Sequence, residues 1–134
     1  MMKNTIALST IVCLLLLGFT SKAQQAKPIK VEIVKTAAGY SIKRKGKPYF
    51  IKGAGGTNYM DRLKQKGGNS IRTWSTDGAA QLLDEAQRLG LTVTLGIRMG
   101  TERHGFDYND TKAVEEQLAR VRQEIIQFKD HPAL

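Results

Sequence analysis

The pattern of hydrophobic and polar positions changes twice along the 134-residue chain. Residues 6–19 are almost continuously apolar. Residues 31–52 hold short runs in which apolar and polar residues alternate, separated by glycines, as is typical of antiparallel strands joined by tight turns. From residue 53 onward, short apolar runs alternate with segments whose apolar residues recur every three or four positions. The pattern therefore predicts β-hairpins followed by strand–helix units.

The first apolar run has the features of a secretion signal. Lys3 supplies a positive charge before it, and the small residues Ser21 and Ala23 follow it at the two positions that a signal peptidase reads. The run is also shorter than the roughly 20 apolar residues that a membrane-spanning helix needs. We predict a signal peptide over residues 1–23, with an uncleaved anchor as the alternative. The mature chain would be secreted or periplasmic, without a stable membrane anchor.

The alternating region predicts a small antiparallel sheet. We expect a linker and β-hairpin strands over residues 24–47, followed by a second unit over residues 48–134. Strands are predicted over residues 31–34, 40–44 and 48–52.

The pattern from residue 48 onward predicts three strand–helix units, of which two come before residue 91 and the first begins with the strand over residues 48–52. Residues 53–56, with three glycines, are expected to form a flexible break before a short helix over residues 59–66. A strand is predicted over residues 69–75. Asp77 is expected to cap the next helix, and Gly90 to end it.

The third unit is predicted from a strand over residues 91–97 and a last helix that Asp110 can cap. Between them lies a long polar and aromatic loop over residues 98–109. Pro132 is expected to end the unit. The residues expected to form the apolar stripe of this last helix are Val114, Leu118, Val121, Ile125 and Phe128.

Alternation of strands and helices predicts an α/β fold with a parallel sheet and crossover helices. The strand spacing of about twenty residues suits a TIM barrel or a doubly wound sheet. Val93 and Leu95 share one face of the third strand, and Thr92 and Thr94 share the other. This favours the barrel, because doubly wound strands are more often apolar on both faces. We expect the N-terminal part of a TIM barrel with about three βα units, and hence an incomplete sequence.

Charge and composition narrow the chemistry further. The chain has 21 basic and 12 acidic residues. Its basic excess between residues 27 and 52 is attributed to solvent-exposed strand positions, so no nucleic-acid partner is expected. Cys13 is the only cysteine and lies inside the apolar run, which excludes a disulfide scaffold and a thiolate site from the mature chain. His104 and His131 are far apart, so a zinc site or a Ser-His-Asp triad lacks support. No metal and no cofactor are expected.

Four motifs occur in order along the second predicted unit. Pro-Tyr-Phe-Ile-Lys-Gly occupies residues 48–53, and Gly-Gly-Asn-Ser-Ile-Arg-Thr-Trp occupies residues 67–74. Leu-Asp-Glu-Ala at 83–86 is followed by Leu-Gly-Leu-Thr-Val at 89–93, and Asp-His-Pro-Ala-Leu ends the chain at 130–134. In this order and spacing they resemble the start of the catalytic barrel of glycoside hydrolase family 2 and its clan relatives. Neighbours such as family 5 and the family 72 transglucosylases have similar first strands.

The resemblance implies an exported glycoside hydrolase that cleaves O-glycosyl bonds in oligo- or polysaccharides. Its acid/base and nucleophile glutamates would lie beyond Leu134, so no catalytic residue is identified in this chain. An arginine at the position of Arg72 pairs with the nucleophile carboxylate in the enzymes that the chain resembles. The alternatives are a transglucosylase of the same barrel type and an exported carbohydrate-binding α/β module without catalysis. The expected partner is a carbohydrate, and the oligomeric state stays open.

Four residues are candidates for substrate binding or active-site support. Arg72 and Trp74 share the strand face opposite Ile71, so we expect them to point into the barrel. The alternatives are a structural ion pair for Arg72 and an apolar plug, rather than a sugar-stacking ring, for Trp74. Glu102 and Asp107 lie in the aromatic loop, where carboxylates suit sugar hydroxyls, although a charged loop can also be simply solvated.

Overall fold

The computed structural model of the chain describes residues 27–134. The predicted signal peptide over residues 1–23, with Cys13, lies outside the described residues. The described part is a mixed α/β structure with two three-stranded sheets and three α-helices. In this part of the chain no helix is long and apolar enough to cross a membrane.

The first sheet is antiparallel and contains the predicted hairpins. Its strands are β1 (Val31–Thr36), β2 (Gly39–Arg44) and β3 (Lys47–Pro48), in that order. Lys45 and Gly46 form the turn between β2 and β3 with φ angles of 54° and 75°. Two consecutive positive φ angles match the twist of the flanking strands, which is why hairpins prefer such turns. The predicted antiparallel arrangement is confirmed.

The strand expected over residues 48–52 ends at Pro48, so the prediction is wrong for the residues after it. The reason is that Asn69 forms hydrogen bonds with the backbone groups of those residues. The Asn69 Oδ1 accepts a hydrogen bond from the Lys52 N–H at 2.8 Å, and its Nδ2 donates to the Phe50 carbonyl at 2.8 Å. The Tyr49 hydroxyl donates to the Asn69 carbonyl at 2.9 Å. These bonds draw the segment toward the second sheet.

The second sheet is parallel, with the order β4 (Gly53–Gly55), β5 (Ser70–Arg72) and β6 (Thr92–Thr94). The expectation of a flexible break over residues 53–56 is therefore wrong. A parallel ladder uses only backbone groups, so a strand forms without side chains to indicate it. Glycine is needed here because a Cβ on Gly53 would lie 2.7 Å from the carbonyl oxygen of Ser70.

Helices follow each parallel strand, as predicted: α1 (Met60–Gln65), α2 (Ala79–Leu89) and α3 (Thr111–Phe128). α1 and α2 each connect one strand to the next parallel strand. The apolar core lies among these elements, where the side chains of Leu83 and Leu91 are the largest that are fully buried. The remaining core residues are Met60, Ile71, Ala79, Leu82, Ala86, Val93 and Ala133.

The helix ends confirm two of the three predicted capping residues. Gly90 ends α2 in the left-handed conformation, and the Asp110 carboxylate accepts a hydrogen bond from the Ala113 N–H at 3.1 Å before α3. Asp77 does not cap α2, because Gly78 occupies the N-cap position. The Asp77 carboxylate is held by other side chains, described below.

The last helix is rotated relative to its predicted stripe. α3 buries Gln117, while Leu118 and Ile125 remain 47% and 44% exposed. Ile126, beside them, is also exposed. The expectation that Leu118 and Ile125 face the core is therefore wrong. The physical reason is that Gln117 and Glu124 make polar contacts with the loops after β5 and β6, and these contacts turn the helix.

Candidate functional site

The carboxyl ends of the parallel strands meet at one edge of the second sheet, which we call the carboxyl edge. In the register of the sheet, Arg72 at the end of β5 lies between Gly55 of β4 and Thr94 of β6. The loops over residues 73–78 and 95–110 follow the two later strands. Binding and catalytic residues of parallel α/β proteins lie at this edge.

Arg72 and Trp74 come together at the carboxyl edge. Ile71 and Thr73 are buried while Arg72 and Trp74 are exposed, so the two pairs lie on opposite faces, as expected. The Arg72 Cζ lies 5.7 Å from the centroid of the Trp74 ring, which is within the range of a cation–π interaction. Within residues 27–134 Arg72 makes no ion pair, so this part of the chain supplies no partner for a structural ion-pair role.

Gly55 at the end of β4 and Gly96 in the loop after β6 make room for Trp74. A Cβ on Gly55 would lie 2.7 Å from the Cη2 atom of the indole, and a Cβ on Gly96 would lie 2.6 Å from the Trp74 Cα. Trp74 as a whole is 59% exposed. Its ring therefore packs against Gly55 and keeps a solvent-exposed surface.

Glu102 and Asp107 are not brought into contact with this pair. Glu102 begins a short 3-10 helix and is exposed. The Asp107 carboxylate accepts hydrogen bonds from the N–H of Asn109 at 2.8 Å and from its side-chain amide at 3.1 Å, forming a local turn. Over residues 27–134 no hydrogen bond or ion pair joins either carboxylate to Arg72 or Trp74.

The structure adds two residues to the carboxyl edge that the sequence analysis missed. The Arg98 Nη2 donates to the Asp77 Oδ2 at 3.0 Å, and the Ser75 hydroxyl donates to the same oxygen at 2.9 Å. The ion pair joins the loop after β5 to the loop after β6. The signal in the sequence is that both residues follow the predicted ends of strands, although Asp77 is predicted there as a helix cap.

Side chains of α3 complete a closed set of polar contacts, which we call the edge network. Arg120 donates to the backbone carbonyl of Arg98 at 2.6 Å and to the Glu124 carboxylate at 2.6 Å. The Thr76 hydroxyl donates to the other oxygen of Glu124 at 3.1 Å. Thr76 precedes Asp77 in the chain, and Asp77 is paired with Arg98. The contacts therefore run from Arg98 through α3 and back to Arg98. The network explains why α3 turns Glu124 toward the sheet.

The loop over residues 98–109 is anchored around Gly100. The Gly100 N–H donates to the buried Gln117 side chain, and the Tyr108 hydroxyl donates to the Gly100 carbonyl at 2.8 Å. Phe106 packs edge-on against Tyr108 with 4.7 Å between the ring centroids. A Cβ on Gly100 would collide with the Phe106 ring. The loop is thus a packed structure that holds Arg98 over the carboxyl edge.

A cavity of about 490 Å³ lies between the two sheets, away from Arg72 and Trp74. Arg44 is the only charged residue in its lining. Charged and aromatic side chains converge instead at the carboxyl edge, so the candidate site is placed there. The aliphatic residues that line the cavity are Ile29, Val31, Ile33, Ile42, Ile51, Val93, Leu95 and Leu134.

Comparisons with known proteins do not extend these observations. No model of a known protein family matches the chain, and no curated protein matches it either. In the described residues no three His, Cys, Asp or Glu side chains are grouped to hold a metal ion. The functional interpretation therefore rests on the geometry of the carboxyl edge and on the motifs in the sequence.

Proposed function

We propose that the chain is the first part of an exported TIM-barrel glycoside hydrolase that cleaves O-glycosyl bonds in oligo- or polysaccharides. One observation carries the proposal: the exposed indole of Trp74 packs against Gly55 of β4 beside Arg72, at the carboxyl edge. A flat apolar ring next to hydrogen-bonding groups suits a sugar, which has an apolar C–H face and a rim of hydroxyls.

The strand order supports the barrel part of this proposal. β4, β5 and β6 lie side by side in chain order and are joined by helices. A barrel grows by adding each strand beside the preceding one, whereas a doubly wound sheet reverses direction at a switch point. The hairpin sheet would then precede the barrel, as the motif order suggests.

Arg72 has a defined role in the proposed reaction. Its guanidinium would hold the nucleophile carboxylate ionised and oriented, because a planar fork can make two charge-assisted hydrogen bonds. Trp74 would stack on the sugar, and Glu102 and Asp107 remain candidates for contacts to its hydroxyls. The acid/base and nucleophile glutamates of a retaining reaction would be supplied by sequence beyond Leu134.

The test is an assay of the protein encoded by the complete gene, including whatever follows codon 134. Release of reducing ends is measured from cellulose, xylan, mannan and galactan and from their oligosaccharides. The proposal expects hydrolysis of at least one substrate with retention of anomeric configuration. A folded product that binds and cleaves none of them would overturn it.

A second candidate, carbohydrate binding without cleavage, is favoured by one observation. Within residues 27–134 no carboxylate forms an ion pair with Arg72, whose guanidinium lies beside the Trp74 ring. Saturable binding of an oligosaccharide without any hydrolysis, by a gene product that lacks glutamates at the ends of its later strands, would decide for the binding module.

A further inference from the structure

We propose that Asp77 and Arg98 bind hydroxyls of the same sugar ring that stacks on Trp74, so that the three side chains form one sugar-binding subsite. The inference rests on the proposed carbohydrate function. It adds a specificity-determining pair, and a network that positions the pair, to the residues that the sequence motifs indicate.

The pair has hydrogen-bonding capacity to spare. The Asp77 side chain is 75% exposed and that of Arg98 is 72% exposed. The Oδ2 of Asp77 accepts from Ser75 and Arg98, while its Oδ1 has no partner among residues 27–134. Arg98 uses one of its five N–H donors on Asp77. A free carboxylate oxygen beside free guanidinium donors is complementary to neighbouring sugar hydroxyls, each of which can both donate and accept.

The backbones that carry the pair are fixed before any ligand arrives. The carbonyl of Arg98 accepts from Arg120 at 2.6 Å, and Thr76, next to Asp77, donates to Glu124 at 3.1 Å. An ordinary exposed ion pair has no such support, and it contributes little to stability because water competes for both charges. Fixing the groups in advance lowers the entropy lost on binding. Arg120 and Glu124 are therefore positioning residues of the subsite.

In the 134-residue chain Trp74 is the only tryptophan, and in the complete protein a fluorescence change is assigned to it when Trp74→Phe removes that change. Its fluorescence is titrated with cellotetraose, xylotetraose, mannotetraose and galactotetraose. At least one of them should change the emission saturably. For that sugar, Asp77→Asn and Arg98→Gln should each raise the dissociation constant about tenfold, the loss expected for a hydrogen bond to a charged group.

Glu85 and Arg88 provide a matched control on the outer face of α2. They form an exposed ion pair, with an Arg88 Nη2 to Glu85 Oε1 distance of 2.6 Å, and the hydrogen bond from Arg88 is the main cause of the lowered pKa of Glu85. Glu85→Gln and Arg88→Gln remove the same chemistry and should leave sugar binding unchanged. The emission maximum without sugar should stay constant in all four variants, as expected if the indole of Trp74 keeps its packing against Gly55.

The outcomes separate the two proposals. If a sugar binds and Trp74→Ala abolishes binding measured by calorimetry, while Asp77→Asn and Arg98→Gln bind as tightly as the wild type, the subsite is wrong and the carbohydrate function stands. If no sugar changes the emission or binds by calorimetry, the carbohydrate function fails, and the subsite with it. Arg120→Met should weaken binding without removing a sugar contact, and an unchanged affinity would refute the positioning role.

Discussion

Gly55 and Trp74 are related by direct steric exclusion, because a Cβ on Gly55 would lie 2.7 Å from the Cη2 atom of the indole. Gly55 ends β4 and Trp74 follows the end of the neighbouring strand β5. The glycine leaves the space that the ring occupies. The proposed stacking surface can thus take this position only because residue 55 is a glycine.

Gly55→Ala should displace the indole and weaken sugar binding. We expect a cost of about 1–3 kcal/mol in stability if the ring cannot move away, as for overpacked sites. The measurement is urea unfolding together with the fluorescence titration. In a Trp74→Ala background the same alanine should cost much less, because the clash is gone. Equal costs in both backgrounds would show that the indole does not occupy this space.

Arg72→Lys should lower the rate of the complete enzyme and leave its stability nearly unchanged. The lysine keeps the charge but loses the planar fork. By analogy with the loss of an oxyanion-hole donor, we expect about 2–4 kcal/mol less transition-state stabilisation, or roughly two to three decades in kcat/KM. Arg103→Lys, in the exposed loop, is the control and should have no effect. A normal rate with a collapsed melting temperature would identify Arg72 as a structural residue.

Asn69→Ala should destabilise the chain by about 0.5–1.5 kcal/mol. The substitution removes the side-chain hydrogen bonds to the Lys52 N–H and the Phe50 carbonyl, and hydrogen bonds whose groups water can reach contribute only a small net free energy. Chemical denaturation provides the measurement. Asn109→Ala, which removes a contact to Asp107 within one exposed turn, should change the unfolding free energy by much less. Similar losses for the two variants would contradict this role of Asn69.

The exposed apolar face of α3 should promote self-association. Leu118→Lys and Ile126→Lys should lower light scattering at a given concentration and change the melting temperature little, since both side chains are largely exposed. Leu83→Ala is the contrasting variant, because Leu83 is fully buried and such truncations cost about 2–5 kcal/mol. A large loss of stability in the lysine variants would mean that this face is covered.

Export should remove the first 23 residues. N-terminal sequencing of protein recovered from the periplasm or medium should start at or near Gln24. Lys3→Glu, which reverses the charge before the apolar run, should slow processing. A product that retains Met1 inside the cell would contradict the predicted signal.

The helix α2 could be predicted because its apolar residues recur with the helical period and lie in the core, among them Leu82 and Leu83. The strand β4 could not be predicted, since its glycines provide no side-chain pattern and its ladder depends on close approach to Ser70. In α3 the apolar stripe indicated the wrong face, because Glu124 makes polar contacts that only the assembled loops supply.

The same contrast holds at the candidate site. Arg72 and Trp74 follow from the two-residue period of a single strand, so local sequence was enough to place them on one face. Asp77 and Arg98 are 21 positions apart, and they meet only because two parallel strands end at the same edge. The local patterns place each residue after a strand, but only the assembled sheet brings the two together.

Asn69 also links the two sheets as one cooperative unit. Its carbonyl accepts from the Tyr49 hydroxyl and from the Thr92 N–H, while its side chain holds the segment that leaves the hairpins. We therefore expect the hairpin side and the parallel side to open to solvent together at this point. Their amide protons near the junction should exchange with deuterium through the same opening event, at a rate set by the junction rather than by either sheet alone.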